Sequence, residues 1–228
     1  MNAEFEFFQS NTLVDMAYKE IKKDITLNTL KPGQKIILRD LCERYGISET
    51  PIKQALNRLL MEGLIESAPR KSMRVKRIKL EEIDELLEIR LMIETFYVNR
   101  ILQTLKSNPE IKEKFLKNLE EHRKVVENIE GLNDFYRHLS LDQEFHQIYI
   151  ECSDNKKVLQ IYNNLGTHIY MYHVYWKQGK ARMKEAFQEH KAIFDALVIF
   201  DENKLLEMVK KHIYNTKQDI QQIWEKQV

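Results

Sequence analysis

The sequence predicts a mainly α-helical chain in two parts: an N-terminal winged helix-turn-helix and a C-terminal six-helix antiparallel bundle. Three observations predict it. A length of 228 residues suits two domains, at roughly 100–150 residues each. Breakers are dense early (Pro32, Gly33, Gly46, Pro51, Gly63, Pro69), whereas from Leu80 long stretches keep apolar residues at helical spacing. Charge is partitioned as well: residues 31–77 hold 11 Lys and Arg against 5 Asp and Glu, while residues 79–228 hold 22 against 25 and all seven histidines.

Composition excludes several classes. A 43% hydrophobic and 31% charged chain can build cores and remain dissolved, so it is neither disordered nor fibrous. No apolar run approaches the ~18 residues of a membrane span. Glu4 and Glu6 interrupt the N-terminal phenylalanines, against the basic-then-apolar order of a secretory signal. Cys42 and Cys152 have no partner spacing, so neither a disulfide framework nor a thiolate zinc site is suggested. A soluble cytoplasmic protein without a membrane partner is expected.

Residues 1–10 read as a flexible arm, 11–78 as the winged helix-turn-helix and 79–228 as the helical domain. Leu13, Val14, Ala17, Ile21 and Ile25 keep helical spacing, with Asn11 able to cap the start. Leu30-Lys31-Pro32-Gly33 is turn chemistry. A short helix runs from Leu38 through Tyr45 to Gly46, which can take the left-handed C-cap conformation. Ser48 can accept from the open amides of a third helix whose buried stripe is Ile52, Leu56, Leu59 and Leu60, and Gly63 ends it. Two helices joined by a tight Gly-containing turn form the helix-turn-helix pattern. Leu64-Ile65 and Met73-Arg74-Val75 then suit two strands around a basic tip at Pro69-Arg70-Lys71-Ser72. Beyond Leu80, helical stretches 81–106, 110–129, 132–152, 155–177, 180–200 and 202–226 are joined by short breaks, which implies antiparallel neighbours.

A helix that reads DNA needs an apolar back and hydrogen-bonding groups on its front. Ser48, Glu49, Thr50, Lys53, Gln54 and Asn57 supply that front, and Arg39, Arg44, Arg58, Arg70, Lys71 and Arg74 can sit on phosphates. Any one of these cations reads equally as part of a solvated face. The spacing of Leu30-Lys31-Pro32-Gly33, Gly46-Ile47-Ser48, Thr50-Pro51-Ile52-Lys53-Gln54-Ala55-Leu56 and Glu62-Gly63-Leu64-Ile65 resembles the GntR family of bacterial repressors. The resemblance implies double-stranded operator DNA as partner, with contacts by Arg39, Lys53 and their neighbours. Two departures stand out. Glu49 takes the place of the family's usual arginine, and a carboxylate cannot contact guanine N7/O6 although it can accept from a cytosine amino group. The usual Gly-Arg-Gly wing tip is here Arg70-Lys71-Ser72. An operator unlike the family's common one is expected.

In the second half, Asp142 and His146 stand four apart and share one helical face, while His190 and His212 lie on the fifth and sixth stretches. Converging, they would form an N/O site for a borderline divalent ion; unconverged, they are hydrogen-bonded core or surface histidines. Arg90-x-x-x-Glu94, Asp142-x-x-Phe145-His146, Glu189-His190 and Lys211-His212-Ile213 resemble the FCD effector domain of the FadR branch, in its six-helix, VanR-like form. That resemblance implies Asp142, His146, His190 and His212 as ligands of a divalent metal, with Zn2+ the first choice and Ni2+ or Mn2+ the alternatives. It also implies a small carboxylate effector. Arg90 suits one carboxylate oxygen, or it pairs internally with Glu94 one turn on. Tyr97, Tyr162, His168, Ile169, Tyr172 and Asn215 can line the pocket, with Tyr162, Ile169 and Tyr172 equally readable as plain core; His122, His138 and His173 match no motif position. The reading is a homodimeric, metal-containing repressor of a two-fold operator, not an enzyme. Its competitors are a purely structural metal without effector and a helical metal-dependent hydrolase or lyase.

Overall fold

The computed structural model describes residues 12–68, 72–77, 79–166 and 179–225. The expected arm, Asn11, the wing-tip residues Arg70 and Lys71, and the stretch containing His168 and Tyr172 lie outside the described residues. The chain divides into two compact units, Met1–Arg77 and Ile78–Val228. Among the described residues no helix is long and apolar enough to cross a membrane.

The first unit opens with α1 (Leu13–Thr26). Its cap is Thr12, one residue beyond the Asn11 expected: the Thr12 hydroxyl accepts from the Asp15 amide, and the Asp15 carboxylate accepts from the Thr12 amide. Ala17, Ile21 and Ile25 turn inward and α1 packs on α3. After the turn, β1 (Lys35–Ile36) leads into α2 (Leu38–Tyr45), which ends at Gly46 with φ of 65°. That left-handed residue is what lets α3 (Glu49–Met61) leave at once in a new direction. Ser48 occupies the N-cap position of α3 with extended backbone, but its side chain makes no cap hydrogen bond, unlike the expectation. Ile52, Ala55, Leu56 and Leu59 form the buried back of α3, the isoleucine and each leucine contributing about 1.5–3 kcal/mol through removal from water.

Strands β2 (Ile65–Ala68) and β3 (Ser72–Val75) form the wing. The sheet order is β1-β3-β2, antiparallel throughout, with Ile65 opposite Val75 and Ile36 opposite Met73. The β1 strand had no counterpart in the sequence reading; two residues carry no alternation of their own, and only β3 beside them makes them a strand.

The helical unit comprises α4 (Leu80–Phe96), α5 (Val98–Ser107), α6 (Pro109–Glu127), α7 (Leu132–Glu151), α8 (Lys156–Leu165), α9 (Lys180–Val198) and α10 (Glu202–Glu225). The expected first stretch is therefore two helices, broken at Tyr97 where ψ swings to 6° within the β-branched and aromatic run Thr95-Phe96-Tyr97-Val98. Gly166, at φ 61°, closes α8 well short of the expected 177. Asn108 and Asn155 cap α6 and α8 through side-chain oxygens, and the Asp134 carboxylate accepts from the Gly131 amide ahead of α7. α7 packs on α6 and α8, α9 on α6 and α10, and α10 on α4. Phe115, Phe145 and Phe194 make a ring cluster at the centre, with centroids 5.2 and 5.8 Å from Phe115. Both cysteines are free thiols.

His122 of α6 and His138 of α7 belong to this core, both fully buried, with Nε2 and Nδ1 2.7 Å apart. Burial pushes His122 down to about 3 and His138 down to about 4, from an ordinary value near 6.5. The folded chain thus refuses protons that the unfolded chain accepts, so their full contribution is present above pH 6.5 and lost as pH falls toward 4. Urea melts of the chelator-treated protein should show stability dropping by a few kcal/mol, on the order of 3, across that window. His122→Gln should flatten the drop, and a pH-independent midpoint in the parent would contradict it.

Candidate functional site

Helix α7 presents Asp142 and His146 one turn apart on its inward face; α9 adds His190 and α10 adds His212. None of the four is more than 4% exposed, and their ligand atoms all lie within 4.8 Å of one another. The His146 Nε2 atom is 3.1 Å from that of His190 and 3.2 Å from that of His212, and His190 Nε2 is 3.3 Å from Asp142 Oδ1. Four donors around a tetrahedral ion at ~2.0–2.1 Å stand roughly 3.3–3.4 Å apart, so the set has the right dimensions. Asp142 Oδ1 approaches His190 without hydrogen-bond geometry and has no hydrogen-bond partner. A buried carboxylate oxygen with no donor is what a cation would satisfy. Among the described residues this is the one group of three or more such side chains.

Protonation follows from the surroundings. Burial dominates at His190 and holds its imidazole well below the ordinary range, with the neighbouring His212 and His146 adding to the effect. Burial and then Arg90 lower His146. Burial alone would raise Asp142, but His146 and Arg90 outweigh it and keep the carboxyl below its usual value. Near neutral pH Asp142 is thus a carboxylate and His146 and His190 are neutral imidazoles, the forms that bind metal.

The outer atoms set the orientation. Glu189 of α9 accepts from His212 Nδ1 at 2.7 Å, which leaves the Nε2 lone pair facing inward. Glu189 is held in turn by Asn215 Nδ2 at 2.7 Å and by the Arg182 fork at 3.2 and 3.3 Å. Glu94 of α4 places Oε2 3.3 Å from His146 Nδ1. Its Oε1 accepts from Arg90 Nε and from the Tyr162 hydroxyl, each at 2.6 Å. Arg90, with His146 and the Tyr162 hydroxyl adding to it, overcomes burial and depresses Glu94 far below the carboxylate range. The His190 ring stacks on Phe145, 4.3 Å between centroids and 8° between planes.

The internal pair weighed for Arg90 is therefore formed, and its Nη2 also reaches the Nε2 atoms of His146 and, at 3.2 Å, His212. Of the other expected pocket residues, Tyr162 reaches the centre through Glu94 and Asn215 through Glu189. The Tyr97 hydroxyl accepts from Asn155 ahead of α8, and no contact of it with the four is seen. The sequence reading missed Glu189 and Glu94 as supports of the imidazoles. The available signal was general: a ligating histidine needs an acceptor on its second nitrogen. Spacing along the chain does not say which carboxylate provides it.

In the first unit, Glu49, Thr50, Lys53, Gln54 and Asn57 are exposed on the front of α3, with Ser48 exposed at its start and Arg39 exposed on α2. Lys53 Nζ is paired to Glu49 at 2.7 Å and Arg39 to Glu43 at 3.6 Å. Arg58 and Arg44 are engaged inside the unit: Arg58 bonds Asp15 at 2.7 Å and lies over the Tyr18 ring, and Arg44 pairs with Asp24 at 3.1 Å.

Comparison with known proteins agrees with this division. Residues 85–215 match the FCD domain model, and residues 13–75 match that of the bacterial regulatory proteins of the gntR family. The transcriptional regulator YdhC of Bacillus subtilis is 26% identical over 86% of this chain and 84% of its own. The transcriptional repressor RspR of Escherichia coli is 21% identical over 98% of this chain and 95% of its own. The solved structure of Escherichia coli McbR/YncC superposes with a TM-score of 0.76 at 19% identity, covering 95% of this chain and 99% of that one. A winged reading head followed by a matched effector-binding domain places the chain in the GntR family of bacterial transcriptional regulators, in the FadR branch that carries an FCD domain.

Proposed function

We propose that this regulator is a cytoplasmic repressor that binds an inverted-repeat operator as a homodimer. It responds to a small carboxylate at a divalent metal, Zn2+ foremost, held by Asp142, His146, His190 and His212. The observation that carries the reading is the convergence of those four buried side chains from three helices, with ligand atoms within 4.8 Å. A divalent ion there supplies a Lewis-acidic centre to which an acid's oxygen can bind. The chain's own residues do the rest: Glu189 fixes the His212 tautomer, Glu94 sets a carboxylate beside His146, and the buried packing of Phe145 against His190 excludes water from that ring. The RspR repressor, similar over nearly the whole chain, supports the sign of regulation. A dimer of one helix-turn-helix would address the two half-sites of an inverted repeat, which supports two-fold pairing.

One observation favours a second reading. Four protein ligands, all buried, also describe a closed structural metal site. Chelation separates the two, because a structural ion costs stability on removal while leaving no acid response to lose. The site residues and the DNA face should also separate cleanly. His190→Ala should reduce bound Zn2+ by about tenfold or more and abolish any acid response, with operator affinity within roughly threefold of the parent. Elemental analysis and gel-shift titration check this, and full metal retention would refute the ligand assignment. Lys53→Ala should weaken operator binding by about 1–3 kcal/mol at fixed salt and leave metal content unchanged; unaltered affinity would move the reading face elsewhere.

A further inference from the structure

Arg90 is buried at 2% exposure, beside the four ligands rather than among them. A neutral imidazole has one N–H and one lone pair. His212 commits Nδ1 to Glu189, and an arginine N–H can only donate, so the Nε2 that Arg90 faces on each ring is the one carrying the lone pair. Arg90 Nη2 lies within hydrogen-bond reach of both those Nε2 atoms. A lone pair engaged by an N–H cannot at the same moment be given to a metal.

We propose that Arg90 gates the metal centre: its Nη2 and a divalent cation compete for the Nε2 lone pairs of His146 and His212, and the entering cation turns the guanidinium out to become the anchor of the acid. The proposal rests on the reading above that these four residues hold a metal. The geometry supplies the hinge. Arg90 Nε donates to Glu94 Oε1 at 2.6 Å, and the same oxygen takes the Tyr162 hydroxyl, so the planar guanidinium can tilt as one unit about this contact and withdraw Nη2. Asp142 and His190, 3.3 Å apart, make no hydrogen bond to Arg90, whose N–H groups reach Glu94, His146 and His212, and they form the half of the site a cation meets first. Once displaced, buried N–H groups need a new acceptor, since an unpaired charged donor in the interior is costly. A carboxylate matches the guanidinium fork. Cation and acid therefore bind with positive coupling, each raising the affinity of the other by the same factor.

The test measures Zn2+ affinity of the stripped full-length protein by competition with a chromophoric chelator, for the parent, Arg90→Lys and Arg90→Gln. A lysine ammonium reaches about as far as the arginine Cζ, so it keeps the charge and the Glu94 pair but ends one bond short of Nη2, which weakens its hold on the imidazoles. The gate predicts tighter Zn2+ binding in both variants, by roughly tenfold, the strength of a released charge-assisted hydrogen bond. Tighter binding in Arg90→Gln alone would mean simple charge repulsion and overturn the gate, as would unchanged or weaker binding in both. Should Arg90→Gln fail to fold, Arg90→Lys decides alone, a rise supporting the gate and no rise overturning it. A parent that binds no Zn2+ overturns both this proposal and the metal reading, whereas a parent that binds Zn2+ beside unimproved variants removes only the gate.

Discussion

Placing one aspartate and three histidines in the dry interior of a helix bundle is the constraint around which the second unit is arranged. Polar groups without partners are costly there, and each ring has two nitrogens to satisfy. The chain meets this from outside inward. Glu189, itself held by Asn215 and Arg182, takes the outer nitrogen of His212, and Glu94, held by Arg90 and Tyr162, places a carboxylate oxygen 3.3 Å from that of His146. The inner atoms are then aimed at one another, and Asp142 contributes an oxygen that no donor reaches. Four helices, α4, α7, α9 and α10, are tied together by this one arrangement, so the site and the packing of the bundle are the same object seen at two scales.

The first unit follows a different logic, in which an apolar back and an exposed front divide one helix. Ile52, Ala55, Leu56 and Leu59 leave α3 no freedom to rotate, and Gly46 sets the angle at which it departs from α2. Arg58 and Arg44 spend their charge on Asp15 and Asp24, bracing α1 and α2 rather than standing free toward a ligand. The cations that remain outward on the helix-turn-helix, such as Arg39 and Lys53, are paired only to acids on their own helices.

Much of this was legible before any coordinates, and what was not has physical reasons. Turn chemistry at Gly46 and Gly63 and the periodic back of α3 are local, so they read directly from the chain. The four clustered residues were singled out through the resemblance to the FCD pattern, while their convergence depends on helices 44 and 66 positions beyond His146. The break at Tyr97 was hidden because Ile93, Ile101, Leu102 and Leu105 keep an apolar rhythm across it. Thr12 displaced Asn11 as cap because Asp15 stands three residues on and closes the reciprocal pair. Glu189 was unreadable as a support of His212: it precedes His190 in the chain but faces a different helix, and adjacency in sequence hid that.

The Glu49–Lys53 pair in the first turns of α3 has a consequence for how this head meets nucleic acid. Affinity for a polyanion is driven largely by expelling condensed counterions, one for each phosphate a free cation neutralises. A lysine already matched by its own carboxylate must exchange partners instead, which releases fewer ions to solution. The head should accordingly hold loosely to arbitrary duplex and lose less of its grip as ionic strength rises, so that discrimination between sites depends more on base edges than on bulk attraction.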